Sequence, residues 1–267
     1  MGATFIQATL PHSQIKDEVF VRKNGTYTLS VQADPAYGIP YGTLPRIFIA
    51  WMTTEAVYNK SPILEMGDSL SGFIRKLGLV PSGGELGSIQ RIKDQVKRLF
   101  TCSITAKDDS PERFGVKHLN LIDRANIWWT QEKSGQMQPA EFPSVIVLSH
   151  SFYQELIERP VPFRLSALKQ LKQSPLDMDV YLWVTHKNSF PPKITYIKWT
   201  DLMFQFGVGY PNTAQGRRNF KKKFLEALNH VAAVYPEVTK LRVKTDYLMF
   251  IPGKPHVEKL FIQKKCE

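Results

Sequence analysis

The sequence predicts an α+β protein built from two tandem units of one plan, and three observations carry that expectation. A short helix over DSLSGFIRKLGL, a Gly-rich turn and a longer basic helix over SIQRIKDQVKRLF can be laid beside WTDLMFQFGVG, a loop and RRNFKKKFLEALNHV, about 130 residues later. Each long helix is followed by alternating, strand-like text. The 267 residues suit about two domains. A short helix, a turn, a longer basic helix and a β-hairpin make the winged form of the helix-turn-helix. The expected fold is therefore two tandem winged-helix domains, residues 1–150 and 151–267, each a helix-turn-helix with a β-hairpin wing.

The elements follow in chain order. VFVRKNGTYTLSV alternates on both sides of Asn24-Gly25, which predicts a hairpin from Val19 to Val31 with a type I′ turn. The connector DPAYGIPYGTLP holds too much Pro and Gly for a regular element. From Arg46, Ile47, Ala50, Trp51, Thr54 and Val57 recur at helical spacing. The next helix takes Asp68 or Ser69 as cap, buries Leu70, Phe73, Ile74 and Leu77, and stops at Gly78. Ser88 is expected to cap the third helix, with Ile89, Ile92, Val96, Leu99 and Phe100 as its buried stripe. SITA, KHLNLIDRANIWWT and SVIVLS read as strands, with a loop over 131–143. SFYQELIER, LSALKQLKQS and DMDVYLWVTHKNS read as helices, KITYIKW as a strand, and WTDLMFQFG as a helix capped by Thr200. A long helix follows from Arg217, then two strands with a turn near Lys244 to Asp246.

Thirty-five Lys and Arg against 24 Asp and Glu leave a net charge of +11. That excess points to a polyanionic partner, with nucleic acid ahead of an anionic membrane surface. No run approaches the ~18 apolar residues of a membrane helix, and the first twenty residues do not read as a secretory signal. Cys102 and Cys266 alone exclude a disulfide framework, so a reducing, cytoplasmic home is expected.

The helix from Arg217 carries the main candidate site. At 100° per residue, Phe220, Phe224, Leu228 and Val231 share one face. Arg218, Asn219, Lys222 and Lys223 take the other, with Arg217 and Lys221 at the flanks of the stripe. Arg can fork onto guanine, Asn onto adenine, and Lys neutralises phosphate. The helix from Ser88 offers Ser88, Gln90, Arg91, Lys97 and Arg98 to DNA more weakly, because Asp94 sits among them. The turn before it, with Gly83, Gly84 and Gly87, is read as a phosphate-contacting turn, not a P-loop, since no Lys-Ser or Lys-Thr follows.

No catalytic residue, metal ligand or cofactor is expected. No two of the six histidines are spaced as metal ligands, and no nucleophile elbow is present. Asp108-Asp109 are read as loop acids, and Asp177 and Asp179 as helix-dipole acids. Trp128 and Trp129, adjacent in a strand, must face opposite ways, so one is core and its neighbour is exposed, covered or at an interface.

The run from Pro40 to Phe100 resembles the signature block, residues 38–100, of plasmid-encoded RepA-type replication initiators. Tyr41, Gly42, Pro45, Arg46, Ala50, Trp51, Thr54, Glu55, Ala56 and Val57 match it. So do Leu70, Phe73, Lys76, Leu77, Gly78, Gly83, Gly84, Gly87, Ser88 and Arg98-Leu99-Phe100. The resemblance implies binding to repeated sequences (iterons) in double-stranded DNA at a plasmid origin, opening of a nearby AT-rich tract, and recruitment of a host initiator and the replicative helicase. It also implies two winged helices and a homodimer that represses, with a dimerisation role for the N-terminal domain. A winged-helix transcriptional regulator and a nickase or nuclease are the other readings; the nickase lacks a paired-histidine site.

Overall fold

The computed structural model describes residues 2–67, 69–127, 144–158, 160–189, 191, 193–207 and 209–257. The hairpin forms where the alternation places it, but its turn is shifted. β1 (Val19–Asn24) and β2 (Tyr27–Gln32) pair with Asn24 opposite Tyr27, so the turn residues are Gly25 and Thr26. Only Gly25 has a positive φ, 60°. One positive φ at the first turn position is the glycine-first II′ pattern, not I′. Asn24 stays in the strand and donates from Nδ2 to the Gln7 carbonyl of α1 (Ala3–Gln7) at 2.8 Å.

α2 (Thr43–Asn59) begins before Arg46 because Pro45 fits a first helical turn, where an N–H has no partner to lose. Its Trp51 and Phe48 meet Phe73 edge-on, at 4.7 and 5.5 Å between ring centroids. β3 (Ile63–Glu65) leads to α3 (Leu70–Lys76), capped by Ser69, whose Oγ accepts from the Gly72 N–H. Asp68, the other expected cap, lies outside the described residues. α4 (Ser88–Thr101) has Gly87 as its cap residue, not Ser88. β4 (Ser103–Ser110), β5 (Arg113–Leu119), β6 (Ile122–Asn126) and β7 (Val145–Leu148) follow. Trp128, Trp129 and the expected loop 131–143 fall outside the described residues.

The later elements are α5 (His150–Glu158), α6 (Leu165–Gln170), α7 (Pro175–Asn188), β8 (Thr195–Lys198), α8 (Trp199–Phe206) and α9 (Ala214–Val234). A 3-10 turn (Pro236–Lys240), β9 (Arg242–Val243) and β10 (Tyr247–Phe250) close the described chain. Thr200 lies inside α8 and Lys198 holds its cap position without a side-chain bond. α9 starts ahead of Arg217 because Thr213 caps it, Oγ1 accepting from Gly216.

The strands form antiparallel sheets of order β1-β2-β4-β5, β3-β7-β6 and β8-β10-β9. Two stretches share the order helix, strand, helix, helix, strand, strand: α2–β3–α3–α4–β6–β7 and α7–β8–α8–α9–β9–β10. In both three-stranded sheets the last strand lies in the middle. The first stretch carries an insertion, β4–β5, which joins the β1–β2 hairpin to build the four-stranded sheet.

One hydrophobic core runs from Phe5 to Phe250 through both stretches. A buried polar knot crosses it. Arg46 of α2 forks onto Asp179 of α7, Nε to Oδ1 at 2.7 Å and Nη2 to Oδ2 at 2.8 Å. Its other N–H groups reach the carbonyls of Leu10, Pro11 and Gly42. His12 Nε2 lies 2.8 Å from Asp179 Oδ2. Among the described residues no helix is long and apolar enough to cross a membrane.

Candidate nucleic-acid interface

α9 is amphipathic as its spacing predicts. Phe220, Phe224, Ala227, Leu228 and Val231 are buried, with Phe224 between Trp183, Trp199 and Phe206. The opposite face is open: Arg217, Arg218, Asn219, Lys222 and Lys223 are all exposed. Light local bonds hold them. Arg217 Nη1 donates to Asn212 Oδ1 at 2.8 Å and Arg218 Nη2 to Gln215 Oε1 at 2.7 Å. Gln215 Nε2 donates to Asn219 Oδ1 at 2.8 Å. Lys223 pairs with Glu226 at 2.7 Å, and that bond raises the ammonium pKa. Exposed contacts of this kind are worth little and exchange readily for a phosphate or a base edge.

Lys221 behaves differently. It is half-buried and Nζ donates to the carbonyls of Lys244 and Thr245 at 2.9 and 3.1 Å, 4.7 Å over the Trp199 ring. It ties the β9–β10 turn to α9 rather than extending the outer basic face. The turn it holds presents Arg242 and Lys244, both exposed. Neither was among the expected site residues, although KLRVK alternates basic and apolar as an exposed strand edge should.

α4 keeps fewer free groups than its sequence offers. Gln90 Nε2 donates to Asp94 at 2.9 Å. Lys97 lies 5.6 Å over the Tyr37 ring. Arg98 stacks on Tyr41 at 5.5 Å and donates to the Ile39 carbonyl, fastening the Pro-rich connector with help from Gln95, which accepts from the Tyr41 N–H. Arg91 is exposed, and its side chain makes no hydrogen bond or ion pair among the described residues.

The glycine turn is built for shape. Gly84 sits at φ 83°, and a Cβ on Gly87 would stand 2.3 Å from the Ser82 and Gly83 carbonyl oxygens. Ser88 Oγ accepts from the Ser82 N–H at 2.9 Å and donates to the Val80 carbonyl at 2.7 Å. The N–H groups of Gly87, Ser88 and Ile89 donate to the Gly84 carbonyl, Ser82 Oγ and the Ser82 carbonyl. Those donors are used inside the turn; of its three glycines Gly83 and Gly84 are exposed and Gly87 is buried.

The acids expected in a loop stand on β4, where Asp108 and Asp109 face opposite sides; Asp108 accepts from Thr26 Oγ1 at 2.7 Å. Asp177 meets His230 at 2.7 Å while Asp179 holds Arg46. Among the described residues no three His, Cys, Asp or Glu side chains gather as a metal site. Burial pushes the Cys102 thiol up to about 12.

Comparison with known proteins adds a decisive match: the profile of the plasmid-encoded RepA proteins fits residues 39–194, more than half of the chain. The chain belongs to this RepA family. The matched span of this RepA-family chain runs from the Pro-rich connector through α7, so α9 and its basic face lie beyond it. Two solved structures are similar in fold. One, of domains 2 and 3 of RctB, has a TM-score of 0.61 at 14% identity over 96% of this chain and 97% of that one. Another, of RctB domains 2-3, has a TM-score of 0.53 at 16% identity over 84% and 81%. No protein of curated function matches the chain.

Proposed function

We propose that this RepA-family chain is a plasmid replication initiator that binds duplex DNA at its origin. The observation that carries the reading is the α9 surface. Arg217, Arg218, Asn219, Lys222 and Lys223 stand exposed on a helix whose other face is fixed in the core. The turn joined to that helix by Lys221 adds Arg242 and Lys244. In this reading α9 enters the major groove and the β9–β10 turn lies on the neighbouring backbone. The two stretches of matching order are winged-helix units, divided near residue 150, and the N-terminal unit adds phosphate contacts through Arg91. The repeat of element order and the mid-sheet place of each last strand support this.

Iteron binding, origin opening, recruitment of a host initiator and helicase, and self-repression by a dimer belong to the same proposal and to a cytoplasmic setting. So does the absence of strand cutting. The test is footprinting on DNA flanking the gene. Protected direct repeats beside an AT-rich tract are the expected result. Protection of one short palindrome alone would make the protein a transcriptional regulator instead.

A further inference from the structure

We propose that Leu86 is a base-contacting residue of the N-terminal unit, packing against the 5-methyl group of thymine in the major groove. The inference rests on the duplex-binding reading above and adds a specificity residue to it.

Leu86 is 92% exposed and directly precedes Gly87, the cap residue of α4. Val80, at the start of the same turn, is 80% exposed. The turn is held from both ends by the Ser82–Ser88 bonds and the Gly87–Gly84 bond. A leucine held bare on an ordered turn gains nothing from folding, since its apolar surface stays in water while the backbone entropy is spent. The matching turn before α9 is different: its large side chain, Tyr210, is half-buried on Phe220 at 5.8 Å.

The surroundings of Leu86 select a polyanion. Arg75 and Lys76 are exposed on the last turn of α3, before the glycine turn, and Arg91 is exposed on α4 after it. An apolar residue on a turn between two helices that carry exposed cations suits a groove floor between two phosphate backbones. Of the basic side chains of α4, Arg98 is engaged with the Ile39 carbonyl, while exposed Arg91 serves the phosphates in the reading above. Leu86 adds an apolar contact at the N-terminal end of α4, and the thymine methyl is the apolar feature of the major groove.

The experiment uses the full chain and a duplex that it selects from a random pool. That duplex is made twice, with thymine and with deoxyuridine, which lacks the methyl. The wild type is expected to bind the deoxyuridine duplex about fourfold more weakly per methyl contacted. Leu86→Ala should bind both forms equally, and Leu86→Met should keep the preference. A wild type indifferent to the methyl, or a Leu86→Ala protein that still prefers thymine, overturns the assignment. If the wild type selects no duplex at all, the DNA-binding reading fails and this inference falls with it.

Discussion

Arg218 and Arg91 make the sharpest contrast between single residues. Arg218 shares its face with Asn219, Lys222 and an open helix start, and its side chain donates to Gln215. Replacing it by Ala should cost about 1–3 kcal/mol in binding and relax preference at one or two base pairs, if it forks onto a guanine. Arg91→Ala should weaken binding by less and alike for all sequences. Titration of both variants against the natural site and single-base changes, at fixed salt, separates them; larger losses of affinity and selectivity at Arg91 would reverse the assignment. Lys221 marks where reading by residue type reached its limit. It lies within a basic run, but at the flank of the apolar stripe, where a long side chain bends back along the surface. Its carbonyl partners come from residues 244 and 245, and no local pattern announces a contact across that distance.

The long helices show which elements were legible. α4 and α9 each bury one stripe, so the 3.6-residue period stands out in the sequence. α7 is buried on nearly every side and shows little period; composition and the Ser174-Pro175 start define it instead. The four-stranded sheet was not legible, because β2 pairs with β4 across α2, β3, α3 and α4, Tyr27 opposite Asp108, and no local signal encodes that pairing. KHLNLIDRANIWWT reads as one strand and forms two, parted at Asn120 and Leu121. The elements are positioned by glycines that admit no Cβ. Gly216 is buried in the first turn of α9, and a Cβ there would stand 1.9 Å from the Pro211 carbonyl oxygen. Gly216→Ala must push Pro211 and the turn around it off the helix, at a cost of about 1–3 kcal/mol. Chemical denaturation should show that loss. A variant as stable as the wild type would mean that the turn is not seated on α9.

At the scale of the whole molecule, charge and the buried knot make separate predictions. About six phosphate contacts from a chain of net charge +11 give a log–log salt slope near −5, and affinity independent of salt would remove the electrostatic reading. The knot predicts how folding responds to pH. Asp179 was read in the sequence as a dipole acid of a helix start; its partner Arg46 lies 133 residues away, out of reach of any local pattern. Burial lowers the His12 pKa below its usual 6.5 against the opposing pull of Asp179. Burial also works against the Asp179 carboxylate, but Arg46 and His12 outweigh it and hold the pKa at about 2, below the usual 3.8. In both cases the unfolded chain takes up the proton first as pH falls, so both groups withdraw stability in acid. His12 acts as pH drops below 6.5, and Asp179 between 3.8 and about 2. The Asp179 window is worth on the order of 2 kcal/mol. Melting temperatures measured from neutral pH downward should decline in both windows. His12→Asn should flatten the upper decline and leave the lower one in place. Asp179→Ala strands the Arg46 guanidinium in the core and should cost about 3–5 kcal/mol at neutral pH. If His12→Asn melts with the same slope as the wild type between pH 6.5 and 5, acid sensitivity in that range arises elsewhere, and the knot joins the two halves without sensing protons.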